Sequence, residues 1–465
     1  MEKTVNQQIF EKRDGRFLYE ASHIRKNLTE WLGLEEEDLF WAIPARTNRR
    51  QVRERLLTEG ERMGRIVLAF SNPFGVEAWN RTGEPPKASL REVRVILEEM
   101  GFCRQRLYFP YPNCEFPMKI YSEDYLPKMG ELRNNRMRNF GEEILCFQEE
   151  EDFFNRVIEE GNFPVFSNAY LIVAERNEGR ELPVFVQYAN DRAPEFQMKT
   201  EIWKRGEEYL VVKKPMHPKA KEHCERICRC YGQLEREMEE TDFSMNRCHR
   251  MEEGLEFEYL QGKTLDELLK EQILKGELGA AKAVMEKFVS FLKEMAALPF
   301  ERTEAFEEIF GKDLEFEHAG SMRVTDIDLI FRNIIVGEQW NVIDYEWTFD
   351  FPIPVDFVIY RAFEAFLERE SGGTSLLNPY ELYPISEKDR EAYRVMEQNF
   401  QQYVSRDYHT LDEMYLNFGK PCSTVEQKLR EKEQEIGRLQ QQIAQMESTK
   451  VWKTYRKYRD WRERK

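Results

Sequence analysis

The stretch that decides the fold runs from Val324 to Phe349 and reads VTDIDLIFRNIIVGEQWNVIDYEWTF. Three polar residues, Asp328, Asn333 and Asp344, lie in or beside its apolar, strand-like runs. Burying such side chains costs free energy unless a partner satisfies them. The D-x-x-x-x-N spacing, followed by an aspartate at a strand end, suits phosphoryl transfer: Asp328 as the base, Asn333 and Asp344 as Mg²⁺ ligands. Oxygen ligands without His or Cys argue against zinc here.

A lysine strand precedes this stretch by more than a hundred residues. EYLVVKKP carries Lys213 and Lys214 before its final proline, and we predict that Lys213 reaches the phosphates of a nucleotide. Lys214 is the alternative, because a slip of one residue along a strand turns a side chain to the opposite face. A helix follows, in which Glu222 or Glu225 is predicted to hold the lysine in place.

Two further segments complete a predicted ATP site. EFEYLQGKTLDELL is typical of a hinge strand followed by a helix, and backbone groups from Glu258 to Leu260 are predicted to meet adenine. The turn between the first two strands, QYANDRAPEFQ, lacks a G-x-G-x-x-G motif. Arg192 in this turn is predicted to contact the phosphates instead. The predicted cofactors are therefore ATP and Mg²⁺.

Residues 183–420 resemble the small-molecule branch of the protein-kinase-like superfamily, which includes aminoglycoside, choline and lipopolysaccharide core kinases. FEYLQGKTL and IDYEWTFDFPIPVDFV are similar to its hinge and metal-binding motifs. The resemblance implies a bilobal α+β fold, with an N-lobe over 183–262 and a C-lobe over 263–420. It also implies the roles given above to Asp328, Asn333, Asp344 and Lys213, and a bracing role for Asp356. Asp326 departs from the branch, which often has His there, and two neighbouring acids raise the pKa of one of them.

The region 1–177 resembles class I S-adenosylmethionine methyltransferases of bacterial surface-glycan loci. The resemblance lies in ASHIRKNLTEWL, RIVLAFSNPFGVEAWN and SLREVRVILEEMGFCRQRLYFPYPN. Such enzymes hold their cofactor with a Gly-rich first loop. Between Leu32 and Met63 the only glycines are Gly33 and Gly60, and they are far apart in the sequence. We therefore expect a truncated, Rossmann-like α/β module that does not methylate.

The C-terminal segment differs in kind. From 423 to 449, apolar residues recur at alternating steps of four and three, with Lys432 filling one position, which predicts a coiled coil over three heptads. Its seam, 425–446, is predicted to pair with a second copy or another partner, and packing on its own chain is the alternative. The tail 450–465 carries eight basic and two acidic residues interleaved with aromatic ones. That composition leaves two main interpretations open, a solvated end and contact with an anionic membrane surface, and nucleic acid is the less favoured third.

The composition of the chain limits the classes of protein to which it can belong. The chain has 465 residues with 41% hydrophobic residues, enough for several packed domains. A formal charge of −17 argues against a general nucleic-acid coat. Neither a signal sequence nor a stretch apolar enough to span a bilayer is evident, which predicts a cytoplasmic protein, at most peripheral to the membrane.

A cluster of Cys and His residues allows a second kind of site. It comprises His223, Cys224, Cys228, Cys230, Cys248 and His249. Zinc binding is one interpretation, but the spacing lacks CxxC and the segment is helical, so buried thiols are favoured.

Together these features predict a kinase that phosphorylates a sugar hydroxyl of a surface glycan or its lipid-linked precursor. The alternative is a catalytically inactive scaffold that organises such a pathway through its coiled coil.

Overall fold

The computed structural model describes residues 27–80, 85–115, 117–132, 144–146, 150–177, 179–189, 191–239, 241–316, 320–369, 377–408 and 422–463. Parts of the predicted regions, namely 1–26, 409–421 and 464–465, lie outside these residues. The described chain mixes helices and sheets, so the predicted α+β class is confirmed. In the searched part of the chain, no helix combines the length and apolarity that crossing a bilayer requires.

Strands make up the centre of the molecule. Within the described residues their bounds are β1 Asp38–Ala42, β2 Arg65–Ser71, β3 Arg104–Tyr111, β4 Lys119–Ser122, β5 Ile144–Cys146, β6 Ala169–Glu175, β7 Phe185–Ala189, β8 Met198–Arg205, β9 Glu208–Pro215, β10 Phe243–Met245, β11 Cys248–Met251, β12 Gly254–Glu258, β13 Leu298–Pro299, β14 Gly320–Met322, β15 Thr325–Asp326, β16 Ile334–Val336, β17 Trp340–Val342, β18 Thr348–Phe349, β19 Ile353–Pro354 and β20 Cys422–Thr424.

The described residues also form α-helices. Their bounds are α1 Arg49–Glu59, α2 Val76–Asn80, α3 Leu90–Glu99, α4 Glu150–Glu159, α5 Phe163–Phe166, α6 Lys221–Met238, α7 Leu265–Leu274, α8 Leu278–Met295, α9 Glu304–Phe310, α10 Val355–Arg369, α11 Pro379–Leu382, α12 Glu387–Ser405, α13 Val425–Ser448 and α14 Lys450–Glu463. Short polar caps begin several of them. Thr264, for example, forms a capping box with Glu267 at the start of α7.

The largest sheet runs in the order β1-β2-β6-β3-β4-β7-β8-β9-β12-β11. Its last five strands, together with α6 between β9 and β11, form an upper lobe. Helices α7, α8 and α10 share one apolar core below it, and α9 and α12 share a second. This two-lobed layout is the one that the sequence resemblance implies for residues 183–420.

The first part of the sheet is mixed rather than parallel. β1 and β2 are parallel, whereas β6 lies between β2 and β3 and runs antiparallel to both. β2 and β6 are apolar along nearly their whole length because both of their faces are covered. The identification of this part as a Rossmann-like methyltransferase remnant stays a prediction.

Sheet and core both cross the predicted boundary at 177–183. β4 pairs with β7 through Lys119 with Gln187 and Ile120 with Val186. Apolar residues from Trp41 to Ile202 belong to one buried cluster. The two parts therefore share their packing in this structure, and the domain limits stay a prediction.

Helix α13 begins after a Thr424 capping box and ends at Ser448, with Thr449 as its C-cap. No side chain within this described helix is buried, and its apolar stripe is exposed: Leu429, Ile436, Leu439, Ile443 and Met446. The coiled coil and its partner stay predictions. Helix α14 carries the aromatic and basic residues of the tail, also exposed.

Candidate functional site

A cleft of about 700 Å³ lies between the upper and lower lobes. Its hinge side is formed by the segment after β12. All but one of the predicted site residues line it: Arg192, Lys213, Glu258, Leu260, Asp328, Asn333 and Asp344. Residues from positions 192 to 344 thus converge on one volume.

The predicted catalytic loop lies between β15 and β16. The Asp328 backbone N–H donates to Asp326 Oδ1 at 2.9 Å, and Asn333 Nδ2 donates to the Asp328 carbonyl at 2.9 Å. Because the Asn333 nitrogen is used in this way, its side-chain oxygen is the group left to accept or to bind a cation. The carboxylate of Asp328 forms an ion pair with Arg361, whose Nη2 lies 3.2 Å from Asp328 Oδ1.

Asp344 follows β17 and is tied to the same loop. The Ile343 N–H donates to the Asn333 carbonyl at 2.8 Å, which brings the two predicted metal ligands together. Asp344 has a φ of 56°, in the left-handed region that a non-glycine residue rarely adopts. Such a conformation costs about 1–3 kcal/mol and persists where surrounding contacts enforce it, often at functional sites.

The choice between the two lysines is settled by the faces of β9. Lys213 is buried, points into the cleft and forms an ion pair with Asp344. Lys214 points to the opposite face, where its Nζ lies 3.0 Å from Glu201 Oε2. Burial lowers the pKa of Lys213, but Asp344 and Glu346 outweigh it and raise that pKa overall. Of the two lysines at the end of β9, Lys213 is therefore the one whose charge faces the cleft.

The prediction that Glu222 or Glu225 holds Lys213 is wrong. Glu222 is exposed on the outer side of α6, and Glu225 pairs with Arg250 at 2.6 Å, away from the cleft. His223 occupies the inward position instead. Its Nε2 lies 2.9 Å from Glu346 Oε1, and its Nδ1 lies 3.1 Å from Arg226 Nη2. Since an arginine donates to Nδ1, the proton of the neutral ring resides on Nε2.

Glu346 is the residue that sequence reasoning missed. Its carboxylate meets Arg192 and His223, and Lys213 Nζ lies 3.6 Å away. Burial raises its pKa, yet the Arg192 charge and the His223 hydrogen bond hold the pKa of Glu346 well below its usual value. Glu346 thus fixes Arg192, from the turn between β7 and β8, at the roof of the cleft.

The two acids of the catalytic loop differ in their surroundings. Burial, and then the charge of Asp328, raises the pKa of Asp326 well above its usual value. Burial also raises the pKa of Asp328, although Arg361 opposes the shift. Asp356, matched by resemblance to a bracing role, pairs with Lys293 at 2.6 Å and with Tyr383 at 2.8 Å instead. Arg361 is the side chain that braces Asp328.

Apolar side chains line the cleft from both lobes. Ile202 and Val211 line it from the upper lobe, and Ile335 and Ile343 line it from the lower lobe. A flat aromatic ring fits between two such apolar walls. The Glu258 carbonyl accepts from Asn246 Nδ2 at 3.0 Å, which fixes the backbone of the hinge strand.

The donor set suits a hard cation. Asp344 supplies a half-exposed carboxylate that faces the cleft, and Asn333 supplies the amide oxygen beside it. Oxygen donors of this kind, completed by water and phosphate oxygens, are those that Mg²⁺ prefers. Among the described residues that were searched, no group of three His, Cys, Asp or Glu side chains is placed to hold a metal.

The Cys and His cluster lies mostly in a core. Cys224, Cys230 and Cys248 are buried, and His223 turns toward Glu346. Burial raises the pKa of the Cys224 thiol to about 11 and that of Cys248 to about 12. These thiols are protonated at neutral pH.

Comparison with known proteins gives similarity at the level of structures. No family model matches the chain, and no curated protein matches it. Choline kinase LicA from Streptococcus pneumoniae is 15% identical over 47% of this chain and 81% of that chain, with a TM-score of 0.28. The streptomycin–ATP–APH(2″)-IIa ternary complex is 13% identical over 46% and 82%, with a TM-score of 0.29. Macrolide 2′-phosphotransferase MphH from Brachybacterium faecium is 13% identical over 50% and 81%, with a TM-score of 0.21. Sequence identities and TM-scores as low as these do not assign a function, so the function has to be inferred from the side chains of the cleft.

Proposed function

We propose that this chain is an ATP- and Mg²⁺-dependent phosphotransferase that acts on an alcohol group. The observation that carries the proposal is the convergence of Lys213, Asp328, Asn333 and Asp344 on one cleft with apolar walls. Phosphoryl transfer depends mainly on positioning and on charge stabilisation, for which such a set is suited.

Each side chain then has a role. Asp328 orients the acceptor hydroxyl and takes its proton, and the raised pKa makes it a stronger base than an exposed aspartate. Lys213 and Arg192 provide positive charge toward the phosphates, and Asn333 and Asp344 hold the metal. Mg²⁺, when bound, neutralises phosphate charge. Arg361 keeps the Asp328 carboxylate in place.

The acceptor that we propose is a sugar hydroxyl of a bacterial surface glycan or of its lipid-linked precursor. This finer statement depends on the sequence resemblance of both halves of the chain, which is an analogy between folds. An ATP-consumption screen with candidate sugars tests it. Consumption that depends on a sugar and disappears in Asp328→Asn supports the proposal, whereas equal turnover in that variant removes Asp328 as the base.

A scaffold without activity is the second candidate, and two observations favour it. Lys213 and Arg192 are already paired with Asp344 and Glu346, and no glycine-rich turn lies between β7 and β8. A thermal-shift titration separates the two functions, because Mg·ATP at 100 times its Kd adds about 2.7 kcal/mol to the native state. An unchanged melting temperature in the wild type would support the scaffold.

We further propose that α13 pairs with a second copy in parallel. Its seam places Ile436 and Ile443 at one core position and Leu439 at the other, a choice that favours two strands. In a parallel pair Lys428 faces Glu433 of the other copy, a pairing of opposite charges. The basic, aromatic α14 helices would then lie side by side, suited to an anionic membrane surface.

A further inference from the structure

A segment of the N-terminal part reaches the cleft. It follows β4, which pairs with β7 at the roof of the upper lobe. Five of its residues line the cleft, together with Lys119 of β4: Tyr125, Lys128, Met129, Gly130 and Glu131. All of them lie outside residues 183–420, the region with kinase resemblance.

Residues 123–131, which we name the hinge strap, are fixed to both lobes. Lys204 of β8 donates to Asp124 Oδ1 at 2.6 Å, and the Tyr209 hydroxyl donates to the Asp124 carbonyl at 3.3 Å. At the other end, Lys128 Nζ lies 3.6 Å from Glu267 Oε1 in the first turn of α7. The strap therefore crosses from the upper to the lower lobe beside the hinge.

Aromatic contacts place the strap against the hinge itself. The Tyr125 ring lies 5.0 Å from Phe185 and 6.2 Å from Tyr259, measured between centroids. Tyr259 stands between Glu258 and Leu260, the residues whose backbone is predicted to meet adenine. A ligand held by that backbone consequently lies next to the strap.

Met129 is the strap side chain that a ligand in the cleft would cover. It lines the cleft, yet 47% of its surface is exposed. Covering an exposed apolar side chain with a flat ring is favourable in proportion to the area removed from water. Leu126 of the same strap is 37% exposed but is not among the residues that line the cleft.

We propose that the hinge strap is a wall of the nucleotide pocket and that Met129 covers the nucleoside end of the ligand. The proposal rests on the function inferred above, since the ligand is Mg·ATP. It divides the pocket into two parts: the strap and hinge hold base and ribose, whereas Lys213 and Asp344 hold phosphates and metal.

Calorimetric titration of the full chain with adenosine and with Mg·ATP tests this division. Met129→Ala is expected to weaken both ligands about fivefold, the factor for about 1 kcal/mol of lost apolar cover. Leu126→Ala, the matched control, is expected to leave both Kd values unchanged. Asp344→Asn is expected to weaken Mg·ATP and to spare adenosine.

The outcomes separate the two proposals. If the wild type binds both ligands and Met129→Ala binds them equally well, the strap has no role in the pocket and the proposed function stands. If Met129→Ala weakens only Mg·ATP, the strap does not contact the nucleoside, which overturns the inference. If the wild type binds neither ligand, the proposed function and the inference fail together.

Discussion

Replacing Glu346 with Gln removes a negative charge from the point where Arg192, Lys213 and His223 meet. Breaking a buried ion pair by removing one partner costs about 3–5 kcal/mol. Lys213 keeps Asp344 as a partner, and the Arg192 side chain is 23% exposed, so water compensates part of the loss. The amide oxygen of Gln still accepts from His223. We therefore expect the free energy of unfolding to fall by about 3 kcal/mol, the lower end of that range.

Urea unfolding, followed by tryptophan fluorescence, measures this loss. Trp347 is a local reporter, since its ring lies 5.0 Å from that of His223 and 5.4 Å from the Arg192 guanidinium carbon. Despite burial, Arg192 and His223 lower the pKa of Glu346, so the unfolded state binds the proton more tightly. The stability that Glu346 contributes is present above about pH 4.3, the unfolded pKa, and is lost as pH falls through the folded pKa. The difference between wild type and variant should therefore narrow in acid.

Glu201→Gln is the matched control. Glu201 is also buried, and it pairs with Lys199 at 2.8 Å and Lys214 at 3.0 Å on the face of the sheet opposite the cleft. We expect a comparable loss of stability in this variant and an unchanged Kd for Mg·ATP. Glu346→Gln should lose both stability and affinity. A loss below about 1 kcal/mol, or equal Mg·ATP affinities in the two variants, would refute this account of the cleft.

Three further predictions address the chemistry and the assembly. Asp328→Asn should reduce turnover by about 10²–10⁴, the contribution of a general base, with an unchanged melting temperature; retained turnover would contradict the role of Asp328. Asp326→Asn should gain stability relative to wild type as pH rises above about 4, the unfolded pKa, because folding raises the pKa of Asp326 and the wild type loses that stability as pH rises through the folded pKa; a difference independent of pH would argue against a raised pKa of Asp326. Ile436→Glu should convert a dimer to a monomer in light scattering, because its side chain is exposed in the folded monomer; an unchanged mass would exclude α13 as the interface.

Much of the lining of the cleft could be predicted, because the residues that the phosphoryl-transfer interpretation selected lie in the same volume. The spacing from Asp328 to Asn333 and the strand end before Asp344 identified the lower face of the cleft. The choice of Lys213 over Lys214 could not be made from sequence, since both lie on one strand and only the fold decides which face is inside.

The error at Glu222 has a physical reason that the sequence already contained. Buried residues of α6 include Cys224, Ile227 and Leu234, so the apolar stripe turns Glu222 outward and His223 inward. Charge complementarity favours a glutamate as the partner of Lys213, but the apolar stripe decides which side chains of α6 face inward. Glu346 was overlooked although it stands two residues after Asp344, because its partners come from three distant elements that no local pattern connects.

The last prediction follows from the sheet that both parts of the chain share, and it concerns where the upper lobe begins in the sequence. A chain that begins at residue 179 lacks β4 and leaves β7 as an exposed edge with unpaired backbone groups. Phe185 also loses the Tyr121 ring, 5.1 Å away, and Tyr125, so its part of the common core opens to water. We expect this shortened chain to aggregate or to melt well below the full chain in differential scanning calorimetry. A monomeric product with an unchanged melting temperature would show instead that 183–420 folds alone, as a domain boundary at 177–183 requires. Until then, the shared strand pairing and core favour a single folding unit, in which the N-terminal part supports the cleft through β4 and the hinge strap.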